Sequence, residues 1–187
     1  MKATRNDYGQ TPFFYSEPFE GGFRLVVWQS EMKSQKELFL FLLEKMGDRV
    51  EYLFKEDLES EEPNRWLHIS GGIHKDELKN LIKTFEEWFF TDSAFQFCIR
   101  EPDIKGYFAY DEHGIFFIYD KDEKEVLRKL GIADERRELL TDKGHWHVRP
   151  KDAESTLPKF KVALKETSVF CEDEAEQKGP ADSQTPS

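Results

Sequence analysis

The sequence predicts an α+β domain, a mainly antiparallel sheet with about three helices packed on it. Three observations predict it. The chain is 187 residues long, the size of one domain. Seventeen Phe and four Trp supply an ample core. The apolar patterning alternates at period two in pairs of short segments separated by turns, with helical stretches interspersed, an order that suits antiparallel hairpins better than strict βαβ repetition.

In chain order, residues 1–22 hold Phe13, Phe14, Tyr15 and Phe19 among prolines and glycines. They read as an irregular aromatic arm lying on the domain, because four such rings are costly to leave in water. The domain proper is expected over 23–165. FRLVVWQ at 23–29 is β-branched and aromatic, a strand. Ser34 and Glu37 stand at capping-box spacing and predict a helix from there to Gly47. Leu38 to Leu43 is apolar around the whole helix, so it should be buried on more than one side.

Val50, Tyr52 and Phe54 alternate, the mark of a half-buried strand. KEDLESEEPN at 55–64 reads as a charged loop and WLHIS at 66–70 as a strand. After Gly71 and Gly72, the spacing of Leu78, Leu81, Ile82, Phe85 and Phe89 predicts one amphipathic helix. Phe95, Phe97 and Ile99 alternate again. GYFAY (106–110) and IFFIY (115–119) flank the turn DEHG and predict a central hairpin.

A third helix is expected from Asp122 to Leu130, closed by Gly131, with ADERRELL (133–140) a shorter one. HWHVR (145–149) reads as an edge strand, and FKVALK (160–165) fits either strand or helix. Residues 166–187 turn acidic and polar, the composition of a disordered tail.

Several function classes recede on this evidence. The longest apolar run is six residues, where a membrane helix needs about 20. No signal-peptide pattern opens the chain, and two cysteines, Cys98 and Cys171, do not staple a fold of this size, so a cytoplasmic protein is expected. There is no nucleotide-binding glycine loop and no GxSxG elbow. Cys98 alternates with core residues as a small filler, and Cys171 sits beside acids that raise a thiol pKa. Asp120, Asp122 and Glu123 open a helix where its dipole favours them, and lack the EF-hand glycine and glutamate.

Charge is the most distinctive feature. Asp and Glu number 38 against 27 Lys and Arg, a net charge of −11. Residues 55–63 hold five acids and one Lys, and residues 101–125 hold eight acids and three Lys. Such a surface repels phosphate backbones and anionic membranes and attracts basic proteins at an enhanced rate. The first expectation is therefore a non-enzymatic acidic protein that engages a basic protein partner, of the kind seen in inhibitors and immunity-type accessory proteins of bacteria. Glu56, Asp57, Glu59, Glu61 and Glu62 in the loop, with Asp111 and Glu112 in the hairpin turn, are the partner-binding candidates.

A second reading is a metal-dependent hydrolase or metal-binding domain. His145 and His147 have the i, i+2 spacing that puts two imidazoles on one strand face, suited to a zinc or iron ion with Glu135 or Asp142 as a third ligand. A third is a structural subunit of a larger complex, its aromatic arm crossing to a neighbour. His74, at a helix entry, is read as a cap, and His68 and His113 as ordinary polar residues.

Overall fold

A computed structural model of the chain describes residues 11–29, 31–56, 66–69, 72–92, 94–102, 106–119, 122–137, 149–167 and 170–173. These residues form a mixed α/β domain in which one large sheet dominates.

The first hairpin joins β1 (Phe13–Phe19) to β2 (Gly22–Trp28), which pair antiparallel from Phe13 opposite Trp28 to Phe19 opposite Gly22. The turn between them uses two left-handed residues, Glu20 at φ 43° and Gly21 at φ 81°, a geometry whose twist matches the flanking strands. Residues 13–19, expected to be irregular, are thus a strand. Pro18 is tolerated because it lies beyond Phe13 and Phe14, where β1 is paired on its outer side among the described residues.

Helix α1 (Met32–Glu44) starts two residues before the expected Ser34 and ends at a Lys45 cap. No side chain caps it at Glu31. Its first turn is anchored instead by Gln35, which donates to the Gln29 carbonyl and accepts from the Tyr110 hydroxyl, both at 2.9 Å in the interior. Leu38, Phe39, Leu42 and Leu43 are buried and Leu40 and Phe41 half-buried, as an all-round apolar helix requires.

Strand β3 (Arg49–Glu56) runs two residues further than the alternation suggested. It pairs antiparallel with β4 (Trp66–Ile69), with the two-residue β5 (Ile73–His74), and with β6 (Phe95–Arg100). Gly72 sits at φ 71° and packs so closely that a Cβ there would stand 3.2 Å from the Val50 carbonyl oxygen, so glycine is required.

The single amphipathic helix expected after it is two: α2 (Lys75–Thr84) and α3 (Glu86–Thr91), broken at Phe85. Even so, Leu78, Leu81, Ile82 and Phe89 all reach the core. His74 caps α2 by accepting from the Asp76 amide at 3.3 Å, as read from the sequence.

The hairpin of β7 (Tyr107–Tyr110) and β8 (Ile115–Tyr119) lies centrally, between β6 and β2. Helix α4 (Lys124–Lys129) follows. Ala133–Asp134, expected to open a helix, form instead a short strand, β9, parallel to β1. FKVALK belongs to α5 (Ala153–Thr167). Phe170–Asp173, placed by composition in a disordered tail, form β10 on the outer edge of β4.

The strand order is β10-β4-β3-β6-β7-β8-β2-β1-β9, with β5 on a separate part of β3. Every pairing but β1 with β9 is antiparallel. Five helices, not about three, are present among the described residues, because the second splits and FKVALK, which fits strand or helix, is helical. All five place residues in the main core, whose strand contribution is one face of the sheet: Val50, Tyr52 and Phe54, Phe95, Phe97 and Ile99, Phe108 and Tyr110, Phe116 and Ile118. Phe39 is central, edge-on to Phe89 and Phe108 at 5.3 Å each and to Phe90 at 5.8 Å.

Candidate functional site

The alternate residues of the same strands make the opposite face, where a smaller buried cluster of Phe13, Tyr15, Val26, Trp28 and Ile115 contains no helix residue among the described residues. Because strand side chains alternate, the antiparallel register lines this face with cross-strand rows. One row reads Glu17, Arg24, Tyr119, Tyr107, Arg100, Glu51, across β1, β2, β8, β7, β6 and β3. It has the same residue types from either end. Arg24 is held to Glu17 at 2.6 Å and Arg100 to Glu51 at 2.6 Å. Between them the rings of Tyr107 and Tyr119 stack at 4.1 Å.

The neighbouring row is Tyr15, Val26, Phe117, Ala109, Cys98, Leu53. Its two smallest members, Ala109 and Cys98, are adjacent and leave room above the backbone. A hollow of about 840 Å³ opens there, lined by residues of both rows together with Gln96, Asp111, Glu112, Arg136 and Arg137. Guanidiniums already rest on its aromatic rings. Arg24 lies 4.7 Å from the centre of Phe117 and Arg136 5.5 Å from that of Tyr15.

The β7–β8 turn closes one end. Asp111 is buried, and one of its oxygens accepts from the His113 amide at 3.0 Å and the Ile115 amide at 2.7 Å. This Asp turn fixes the hairpin. Glu112 accepts from Gln96 at 2.6 Å and is only 12% exposed. Desolvation, and then the neighbouring charge of Asp111, hold its carboxyl above the usual range. Ligand atoms of Asp111, Glu112 and His113 lie within 4.8 Å of one another. Both oxygens of Asp111 face its own turn, one on the amides and the other 3.3 Å from the His113 ring, so this grouping is accounted for by the turn.

The thiol and the stacked phenol of the hollow are quenched rather than activated. Burial pushes the Cys98 thiol up to about 11, and burial with the nearby Tyr119 pushes the Tyr107 phenol to about 12. Neither is ionised near neutrality, which is the opposite of what a nucleophile or general base needs.

Of the residues singled out by sequence, Asp111 and Glu112 come together at this hollow. Glu56 does not join them. It ends β3 on the helix side of the sheet, buried at 3% exposure and paired with Lys161 of α5, so it is no part of an exposed acidic loop. Glu44 and Glu123, likewise acidic, are tied to Lys79 and Lys45. Asp57, Glu59, Glu61 and Glu62 lie outside the described residues, as do His145 and His147 with the zinc or iron site they suggested.

The sequence reading missed Arg24, Tyr107, Tyr119 and the Ala109–Cys98 floor. The available signal was the small residue alternating with large ones in FQFCIR and GYFAY. No described helix is long and apolar enough to cross a membrane. No protein-family model, curated protein or solved structure matches this chain.

Proposed function

We propose that the chain is a non-enzymatic binding protein that engages a basic protein partner, in the manner of an inhibitor or immunity-type protein. The observation that carries this reading is the hollow of about 840 Å³ on the sheet face opposite the main core, broad and aromatic, whose thiol and phenol are quenched. Aromatic rings beside charged groups are the usual anchors of a protein interface. The net charge of −11 sets the sign of the partner, since long-range attraction speeds encounter with a basic protein. A partner that itself binds polyanions is the natural counterpart.

The test is capture on the immobilised full chain from a lysate of its own source cells, followed by association kinetics of the retained protein. A basic protein should be retained at 50 mM salt and released as salt rises. Charge reversal in the acidic segment (Asp57→Lys, Glu59→Lys, Glu61→Lys and Glu62→Lys together) should slow association about tenfold and flatten its salt dependence. Retention of only neutral or acidic proteins, or an association rate indifferent to both salt and charge reversal, overturns the reading.

A further inference from the structure

Charge is distributed unequally along the hollow. At one end Arg24, Arg136 and Arg137 line it, and each has a carboxylate of the chain beside it: Arg24 and Arg136 approach Glu17 at 2.6 and 3.9 Å, and Arg137 approaches Glu135 at 2.9 Å. At the other end Asp111 and Glu112 are adjacent, 8% and 12% exposed, with His113 at 3.3 and 3.8 Å. Lys55 stands opposite Gln96 in the register, and its charge is felt at Cys98. These bases do not offset the burial of Glu112 or its repulsion by Asp111, which leave its carboxyl raised. Among the described residues, three arginines thus share two carboxylates at one end, and at the other the adjacent Asp111 and Glu112 stand with Lys55 and His113.

The floor between the ends is Ala109 and Cys98, flanked by Phe117 and Tyr107. That is a slot with apolar sides and an anionic end, the shape complement of a long basic side chain, whose stem is apolar and whose tip is charged. The chain's own arginines show the mode of contact, since Arg24 is seated over Phe117.

We propose that this end of the hollow receives a lysine or arginine side chain of the basic partner, its stem on Ala109 and Cys98 between Tyr107 and Phe117 and its charge at Glu112. The inference rests on the basic-partner reading above and names the point at which that partner is anchored.

Hexa-arginine peptide is the probe, with a hexa-citrulline peptide as its uncharged counterpart, titrated into the ¹⁵N-labelled full chain at 50 mM salt. The arginine peptide should shift amides of 96–98 and 109–117, and the citrulline peptide should leave them unmoved. Glu112→Gln, which keeps an acceptor for Gln96, should weaken binding about tenfold, the loss expected for one desolvated charge contact. Ala109→Leu, which fills the floor, should weaken it comparably with the melting temperature recorded alongside. Shifts confined to the acidic segments outside the hollow, no binding of the peptide, or unchanged affinity in Glu112→Gln overturn the anchor site. A basic protein captured by charge alone would then still stand, whereas failure of the capture experiment removes the partner itself.

Discussion

The two faces of one sheet are built differently. On the helix side, Phe39, Phe89, Phe97, Phe108 and Tyr110 are buried to within a few per cent and meet edge-on or stacked at about 5–6 Å. On the other side, residues one position along the same strands form one row of ion-paired Arg and Glu beside a smaller buried cluster of Phe13, Tyr15, Val26, Trp28 and Ile115. Since the strands are shared, the difference cannot come from backbone pairing. It comes from which parity of residue meets the described helices. The larger core lies on one parity and the hollow with its charged row on the other, so substitutions at the centre of each should differ in their cost to stability.

The largest effect tests that separation directly. Phe39→Ala removes a fully buried ring packed against four others, and should cost about 3–5 kcal/mol. Tyr119→Phe on the opposite face keeps the ring stacked on Tyr107 and should cost under about 1 kcal/mol. Urea melts of both variants give the comparison. Equal losses would mean that the second face is as much core as the first.

Glu56 is the exception that sharpens the contrast, a carboxylate buried on the helix side. Lys161 is its partner, and the pair links α5 to the end of β3. Lys161→Met leaves that charge buried and alone, which should destabilise by about 3 kcal/mol, while adding Glu56→Gln should recover part of the loss. A single variant as stable as the native chain would show that Glu56 reaches water.

How far these features were legible from the residues follows from their range in sequence. Alternation in 49–54 and 95–99 and the DEHG turn are local signals, and β3, β6 and the β7–β8 hairpin follow them. Strand β1 was obscured by Pro12, which precedes it, and by Pro18, which lies beyond the two residues paired with β9. Phe85 continues the apolar stripe although the helix breaks there, because periodicity records which face is buried and not whether the backbone is continuous. The burial of Glu56 depends on Lys161, more than a hundred residues away. The Glu–Arg–Tyr–Tyr–Arg–Glu row is assembled from six strands, and no window of sequence contains it. Asp111 and Glu112 were found as acids in a turn, yet the turn's own use of Asp111 left only Glu112 facing the hollow as a candidate anchor.

The smallest expected effect isolates that glutamate on the face opposite the main core. Its carboxyl is raised in the folded chain, by desolvation first and by Asp111 second, from an ordinary value of 4.5. The folded state therefore holds the proton to higher pH than the unfolded chain does. Where the folded state binds more protons, stability falls as pH rises, so Glu112 contributes a decline that begins near 4.5 and ends once its folded-state carboxyl has ionised. Below that window native and Glu112→Gln proteins should melt alike. Above it the variant should be the more stable, since the amide carries no charge to desolvate while still accepting from Gln96. Melting temperatures of both proteins at intervals from pH 4 to pH 7 would show the curves diverging. Parallel curves would mean that Glu112 is solvated as freely in the folded chain as in the unfolded one, and the two faces would then differ in packing alone.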